Sequence, residues 1–161
     1  HVKLSCDLIS HLRFPWGDVA EIIRHHHERL DGRGYPDALH GSEISIEAKI
    51  LMLAESFDAM TSSRPWRPRL AFDKVVEQIQ KNLGLQFEPR VVQAMCEAVE
   101  AGLDDDSEKP EFVPHLKNSF DPSLIRRFLC ELRSQLTCPD YRTPAVIIDA
   151  TPGGISQTGE S

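Results

Sequence analysis

The chain has 161 residues, of which 40% are hydrophobic and 27% charged, enough apolar material for one globular core and too much for wholesale disorder. Twenty-five acidic against 18 basic side chains leave a formal charge of -7, which excludes a general nucleic-acid binder such as a DNA-binding module, although a local basic cluster can still hold a phosphate. The longest apolar run, residues 50–54, is far short of the roughly 20 residues that a bilayer-crossing helix needs, so no membrane partner is expected. Cys6, Cys96, Cys130 and Cys138 are scattered without a CxxC pair and read as reduced thiols of a cytoplasmic protein. No signal peptide is visible, and an opening on His1 rather than Met reads as a fragment or a processed product.

Helix signals dominate up to residue 143. Leu4, Leu8 and Leu12, joined by Ile9, space a first helix over residues 2–12. Pro15 and Asp18 introduce a second, running through Val19, Ile22 and Ile23 into His25, His26 and His27. Residues 31–36, with Gly32, Gly34 and Pro36, form a loop. The third helix, residues 45–60, is apolar almost all round and should be buried. Residues 63–68 make a second loop with Pro65 and Pro68. Phe72, Val75, Val76 and Ile79 mark a fourth helix stopped at Gly84. Pro89 opens a fifth, with Val91, Val92, Met95 and Val99 inward and Gly102 closing it. Residues 104–110 turn acidic and polar, as a linker does. Asp121 and Pro122 then cap and start a last helix through Leu124, Ile125, Phe128, Leu129 and Leu132. Residues 145–148 are a lone strand candidate, and residues 151–161 read as a disordered end. The expected class is all-α.

The three internal histidines carry the first chemical signal. At about 100° per residue, with Val19 as origin, the apolar set Val19, Ile22, Ile23 and Leu30 centres near zero. His26 then falls about 20° from that centre, His27 about 80° and His25 about 120°. His26 should point inward and His27 lie on the flank, while His25 faces solvent or an outer layer of the site. Two adjacent inward imidazoles are costly to bury unless something uses their lone pairs. Hydrogen-bonded structural histidines at a helix end are one solution. A divalent metal pair is the other, and the carboxylates of Glu28 and Asp31 that follow favour it and are the candidate catalytic residues.

Glu55 and Asp58 interrupt the apolar third helix. Glu55 as a metal ligand with Asp58 bracing the helix to its loop is one division, and salt bridges of both to Arg64 and Arg67 are the other. In residues 31–36 the glycines allow close approach of a ligand, and Tyr35 offers a stacking face with a hydroxyl. Arg64 and Arg67, held by Pro65 and Pro68, are suited to phosphate oxygens. Together with inward histidines, these loops describe a phosphate ester presented to metals.

His26-His27-Glu28-Arg29-Leu30-Asp31-Gly32-Arg33-Gly34-Tyr35-Pro36 resembles the HHExxDGxGYP signature of HD-GYP domains at every fixed position. Residues 39–44 and 53–67 resemble the family's following segments, and residues 87–92 its closing helix, so the likeness covers about residues 1 to 100. It implies an all-helical, HD-superfamily, metal-dependent phosphodiesterase that hydrolyses cyclic di-GMP to the linear dinucleotide or to GMP. The implied metal ligands are His1, His26, His27 and Glu55, for two or three divalent ions, Fe or Mn, per complete domain. Gly34, Tyr35, Pro36, Arg64 and Arg67 are the implied substrate contacts, and the implied step is attack of a metal-bridging hydroxide on phosphorus.

The likeness has three departures. The family's His-Asp dyad and the lysine after it lie upstream of the position of His1, so this chain by itself is expected to be inactive. Glu55 stands where the family has Asp, and Trp66 where it has Tyr. The expected organisation is residues 1–102 as the C-terminal part of an HD-GYP domain, truncated at its N-terminus, and residues 103–161 as a linker, one helix and a tail without counterpart in the family. A degenerate, non-catalytic module that binds cyclic di-GMP or a protein partner, such as a diguanylate cyclase (GGDEF) domain, is the alternative expectation; a homodimer is also compatible.

Overall fold

The structure is a computed structural model that describes residues 2–9, 18–104 and 114–136. In chain order these form α1 Val2–Ile9, α2 Val19–His25, a 3-10 turn at Gly41–Glu43, α3 Ile46–Thr61, α4 Phe72–Lys81, α5 Pro89–Asp104, α6 Pro114–Ser119 and α7 Pro122–Leu136. Among the described residues the only extended pairings are isolated bridges, so the all-α expectation holds. His1, Pro15, the acidic stretch after Asp104, the strand candidate at 145–148 and the tail from 151 lie outside the described residues.

Short polar side chains start the helices where the sequence places them. Asp18 caps α2 by accepting from the amides of Ala20 at 3.0 Å and Glu21 at 3.2 Å. Ser45 caps α3 through the amide of Ala48 at 3.2 Å, and Asp121 accepts from the amide of Ser123 at 2.7 Å ahead of α7. These contacts satisfy amides that the first turn of a helix leaves without a partner.

The core is built by apolar stripes at helical spacing. Phe72, Val75, Val76 and Ile79 of α4, Val91, Val92, Cys96, Val99 and Leu103 of α5, and Ile125, Leu129 and Leu132 of α7 are all buried together. Phe57 of α3 meets Phe72 edge-on, ring centroids 6.4 Å apart. Leu116 of α6, a helix not anticipated from the sequence, is fully buried in the same cluster. Burying each such side chain contributes about 1.5–3 kcal/mol. Burial also pushes the Cys96 thiol up to about 11, which leaves it an unreactive apolar filler. The ion pairs Arg126–Asp104 and Arg133–Glu100 join α5 to α7 at the surface, where such pairs add little. α1 lies on α2, and α2 on α3.

Three expectations change. α2 ends at His25, with His26 as its C-cap, rather than continuing through His27. α5 passes through Gly102 to Asp104, because Leu103 is drawn into the core. α3 is not buried all round: Ala48, Met52, Leu53, Phe57 and Thr61 face inward, while Ile46 and Ile50 are half exposed and Ala54, Glu55 and Asp58 lie outward. Its composition is apolar on every side, but only one face meets α4 and α5.

Candidate functional site

The site lies where α2 ends against the outward face of α3. His26 is the C-cap of α2 and is 6% exposed. Its Nδ1 bonds the carbonyl of Ile23, one turn back. With Nδ1–H donating there, neutral His26 presents a lone pair at Nε2, and that atom stands 3.2 Å from Oε2 of Glu55. A lone pair facing a carboxylate oxygen at that distance calls for a cation between them, a proton or a metal. Two donors sharing one tetrahedral ion, each about 2.1 Å from it, are separated by roughly 3.4 Å, close to this spacing.

His27 completes the group. Its ring lies 4.0 Å from that of His26, centroid to centroid, and ligand atoms of His26, His27 and Glu55 all fall within 4.8 Å of one another. Burial, and then the neighbouring His26, lower the His27 pKa, so the neutral, ligating form is favoured. The donor set of two imidazoles and one carboxylate fits a divalent transition metal. His26 is buried and His27 partly exposed, as the helical spacing of the sequence places them. His1, the fourth ligand of the resemblance, lies outside the described residues. His25 turns away to Asp37, 3.0 Å from Nε2.

After His27 the chain makes a closed loop. The Asp31–His40 bridge and the amide of Gly41 on the carbonyl of Leu30 shut its ends. Glu28 sits inside it, fully buried, its Oε1 accepting from the amide of Asp37 at 2.6 Å and its Oε2 from that of Leu39 at 3.0 Å. Gly34 presses against this carboxylate's own backbone: a Cβ there would stand 2.4 Å from Cα of Glu28 and from the amide nitrogen of Arg29, so no side chain fits. Gly32 has φ of +71, and the His40 ring fills the space its Cβ would occupy. Tyr35 thereby lies against His27, ring centroids 4.9 Å apart and tilted by 30°, with half of its surface exposed. The Tyr35–Pro36 peptide bond is cis.

The two carboxylates expected to be catalytic are engaged elsewhere. Both oxygens of Glu28 hold loop amides, as above. Asp31 takes a fork from Arg29 at 3.0 and 2.9 Å and accepts from the amide of Arg33; the Arg29 guanidinium holds its carboxyl below the usual range. The structure places neither in the His26–His27–Glu55 group; loop amides hold the oxygens of Glu28, and Arg29 with the amide of Arg33 holds those of Asp31.

The second loop is tied to the end of α3. Arg64 and Arg67 pair through their backbones, amide to carbonyl at 2.8 and 3.0 Å. Arg67 donates to the carbonyl of Ala59, and Arg64 lies 3.4 Å from Asp58, whose other oxygen accepts from the Ser62 hydroxyl at 2.8 Å. Asp58 is therefore the helix-to-loop brace and Glu55 the carboxylate facing the histidines. Asp58, which Arg64 meets, stands about one helical turn along α3 from Glu55, and Trp66 in the loop is 79% exposed.

Sequence reasoning missed the contact that joins the first loop to the rest of the fold. Arg29 also donates to Gln86 Oε1 at 2.8 Å, and the amide of Asp31 donates to the carbonyl of Leu85 at 3.0 Å. Gln86 is 57 positions away in the chain, and no local pattern announces such a partner. Asp37, pinned by Arg24 at 2.7 and 2.8 Å, was also missed; a carboxylate directly after Gly-Tyr-Pro was the available signal. Arg24 above all, and His25 after it, hold the Asp37 carboxyl down at about 2.

The HD domain family model matches residues 1–91, more than half of the chain. The chain belongs to the HD domain family. Its sequence is similar to the cyclic di-GMP phosphodiesterase response regulator RpfG of Xanthomonas campestris, 36% identical over 96 residues, 59% of this chain and 25% of that protein. It is similar to a cyclic di-GMP phosphodiesterase of Thermotoga maritima, 43% identical over 95 residues, 58% of this chain and 26% of the relative. A 3'3'-cGAMP-specific phosphodiesterase of Vibrio cholerae is 33% identical over 96 residues, 60% of this chain and 21% of the relative. The HD domain seen here thus spans about a quarter of the length of these relatives, and with its intact GYP loop it is of the HD-GYP type. No described helix is long and apolar enough to cross a membrane.

Proposed function

We propose that this HD domain belongs to a phosphodiesterase that opens a cyclic dinucleotide, cyclic di-GMP in the first place. The observation that carries the reading is the His26–His27–Glu55 group, whose ligand atoms lie within 4.8 Å of one another beside an exposed aromatic ring. His26, His27 and Glu55 would hold the metal, Fe or Mn, with His1 as a further ligand. A divalent ion there supplies Lewis-acid charge next to the phosphorus. Tyr35 and Trp66 offer faces on which a base can stack. Arg64, anchored by Asp58, offers a guanidinium to the phosphate oxygens, and Arg67 keeps its loop folded back on α3. Gly34 and Pro36 shape the loop that carries Tyr35.

The test is turnover by the native-length protein, purified anaerobically and supplied with Fe(II) or Mn(II). Linear dinucleotide or GMP should appear from cyclic di-GMP and vanish with chelator. Faster turnover of 3'3'-cGAMP would assign that substrate instead, a reading supported by the likeness to 3'3'-cGAMP-specific phosphodiesterases of Vibrio cholerae. Retained ligand without product would mean the alternative, a receptor lacking the chemistry. A diguanylate cyclase domain and a second copy of this chain are the candidate protein partners, to be tested by co-purification and by light scattering.

A further inference from the structure

Glu28 is the one carboxylate that the described residues bury completely. A buried carboxylate without compensation is expensive, and here the compensation is two backbone amides, those of Asp37 and Leu39. Those amides flank the far side of the turn that carries Tyr35 and Pro36. On the near side, the amide of Tyr35 donates to the carbonyl of His27 at 3.3 Å. Gly34 closes over the Glu28 backbone with no room for a Cβ. Asp37 is held a second time, through its side chain, by Arg24 and His25 at the end of α2. The turn is therefore gripped at its centre by Glu28 and at its rim by α2.

We propose that Glu28 is a positioning residue: its carboxylate, by gathering the amides of Asp37 and Leu39, sets the Tyr35 ring against His27 and so fixes where the substrate's base and the metal ligands stand relative to each other. The side chain adjacent to two metal ligands transfers no proton. Its action is transmitted through the loop, and its kinetic consequence rests on the phosphodiesterase reading above.

The experiment compares the native-length protein with Glu28→Gln and Glu28→Asp. Gln keeps the size but turns an N–H donor toward one of the two amides; Asp keeps the charge and withdraws it by one methylene. In the Zn(II)-loaded protein, the amides of Asp37 and Leu39 should be protected from hydrogen exchange, and both variants should lose that protection by about tenfold or more. The ring resonances of His27, read in protein with labelled histidine, should shift as the Tyr35 ring moves away, while bound metal per chain stays the same. With cyclic di-GMP, KM should rise several-fold and both limbs of the pH profile of kcat should remain. A lost limb in Glu28→Gln that Glu28→Asp restores, with the His27 resonances unmoved, would overturn the proposal in favour of acid–base chemistry. Unprotected amides in the unsubstituted protein would overturn it as well, even where neither variant folds. Absence of any turnover in the unsubstituted protein would count against the phosphodiesterase reading alone, because the exchange rates and the His27 signal still decide the role of Glu28.

Discussion

The packed centre of α4, α5 and α7 and the loop from Glu28 to Gly41 are both dense, and they are dense for opposite reasons. In the centre, Val75, Val92, Val99 and Ile125 are fully buried and carry nothing that needs a partner, so removing volume is the damaging change. In the loop the buried element is a carboxyl group, and hydrogen bonds with fixed donors hold the chain around it: Asp37 and Leu39 to Glu28, Arg29 to Asp31, Gly41 to Leu30. There, adding volume or removing a donor is damaging. A core of this kind tolerates reshaping as long as it stays full, whereas a polar loop holds one geometry or none. The two histidines of the candidate metal group lead directly into the second kind of structure, while Glu55 reaches them from α3.

The strongest separation of the two regions comes from the ligands. Changing His26 or His27 to Ala in the native-length protein should strip the bound metal and abolish turnover, while His25→Ala should leave metal content intact, since His25 bonds Asp37. Metal analysis of the three variants decides it, and equal loss from all three would erase the distinction. Next in size, Ile125→Ala should destabilise the fold by about 2–5 kcal/mol in a urea titration without altering metal per folded chain. A fall in metal binding would show that core and loop are not separable. Gly34→Ala sharpens the contrast from the other side, since it adds one methyl where a Cβ would meet backbone at 2.4 Å. It should cost about 1–3 kcal/mol and impair turnover.

Smaller effects follow at the surface. Arg64→Ala should weaken binding of cyclic di-GMP by about tenfold in calorimetry, while the melting temperature moves little because Asp58 and its partner are half exposed. The least effect is expected from Asp37. Its carboxyl is held down from 3.8 to about 2, so its contribution to stability is present above pH 3.8 and is lost as the pH falls toward 2. Melting temperatures of Asp37→Asn and the unsubstituted protein should differ at neutral pH and converge in acid. A constant difference would mean that the Arg24–Asp37 pair contributes through shape and not through charge.

The helices could be located from the sequence because their causes are local. Asp18 and Ser45 cap, Pro89 and Pro122 open first turns, and stripes such as Phe72, Val75, Val76 and Ile79 repeat at the helical period. The inward direction of His26 came from the same arithmetic, although α2 stops one residue before it. The candidate site was legible in part: the histidine run, the glycine and arginine loops and Glu55 all stand out as residue types in unusual places.

What required the tertiary structure was the partner of each charge. α3 reads as apolar on every side, and only its packing on α4 and α5 shows which face is left for Glu55 and Asp58. Sequence allowed both carboxylates to be salt-bridged to arginines or divided between two tasks; the fold puts Glu55 at His26 and Asp58 at Arg64. It likewise turns Glu28 inward to two amides and joins Arg29 to Gln86 across 57 positions. Helical periodicity is a property of neighbouring residues and survives in the bare sequence. The pairing of a buried charge depends on which distant groups the folded chain brings within about 3 Å, and that is decided only when the helices pack.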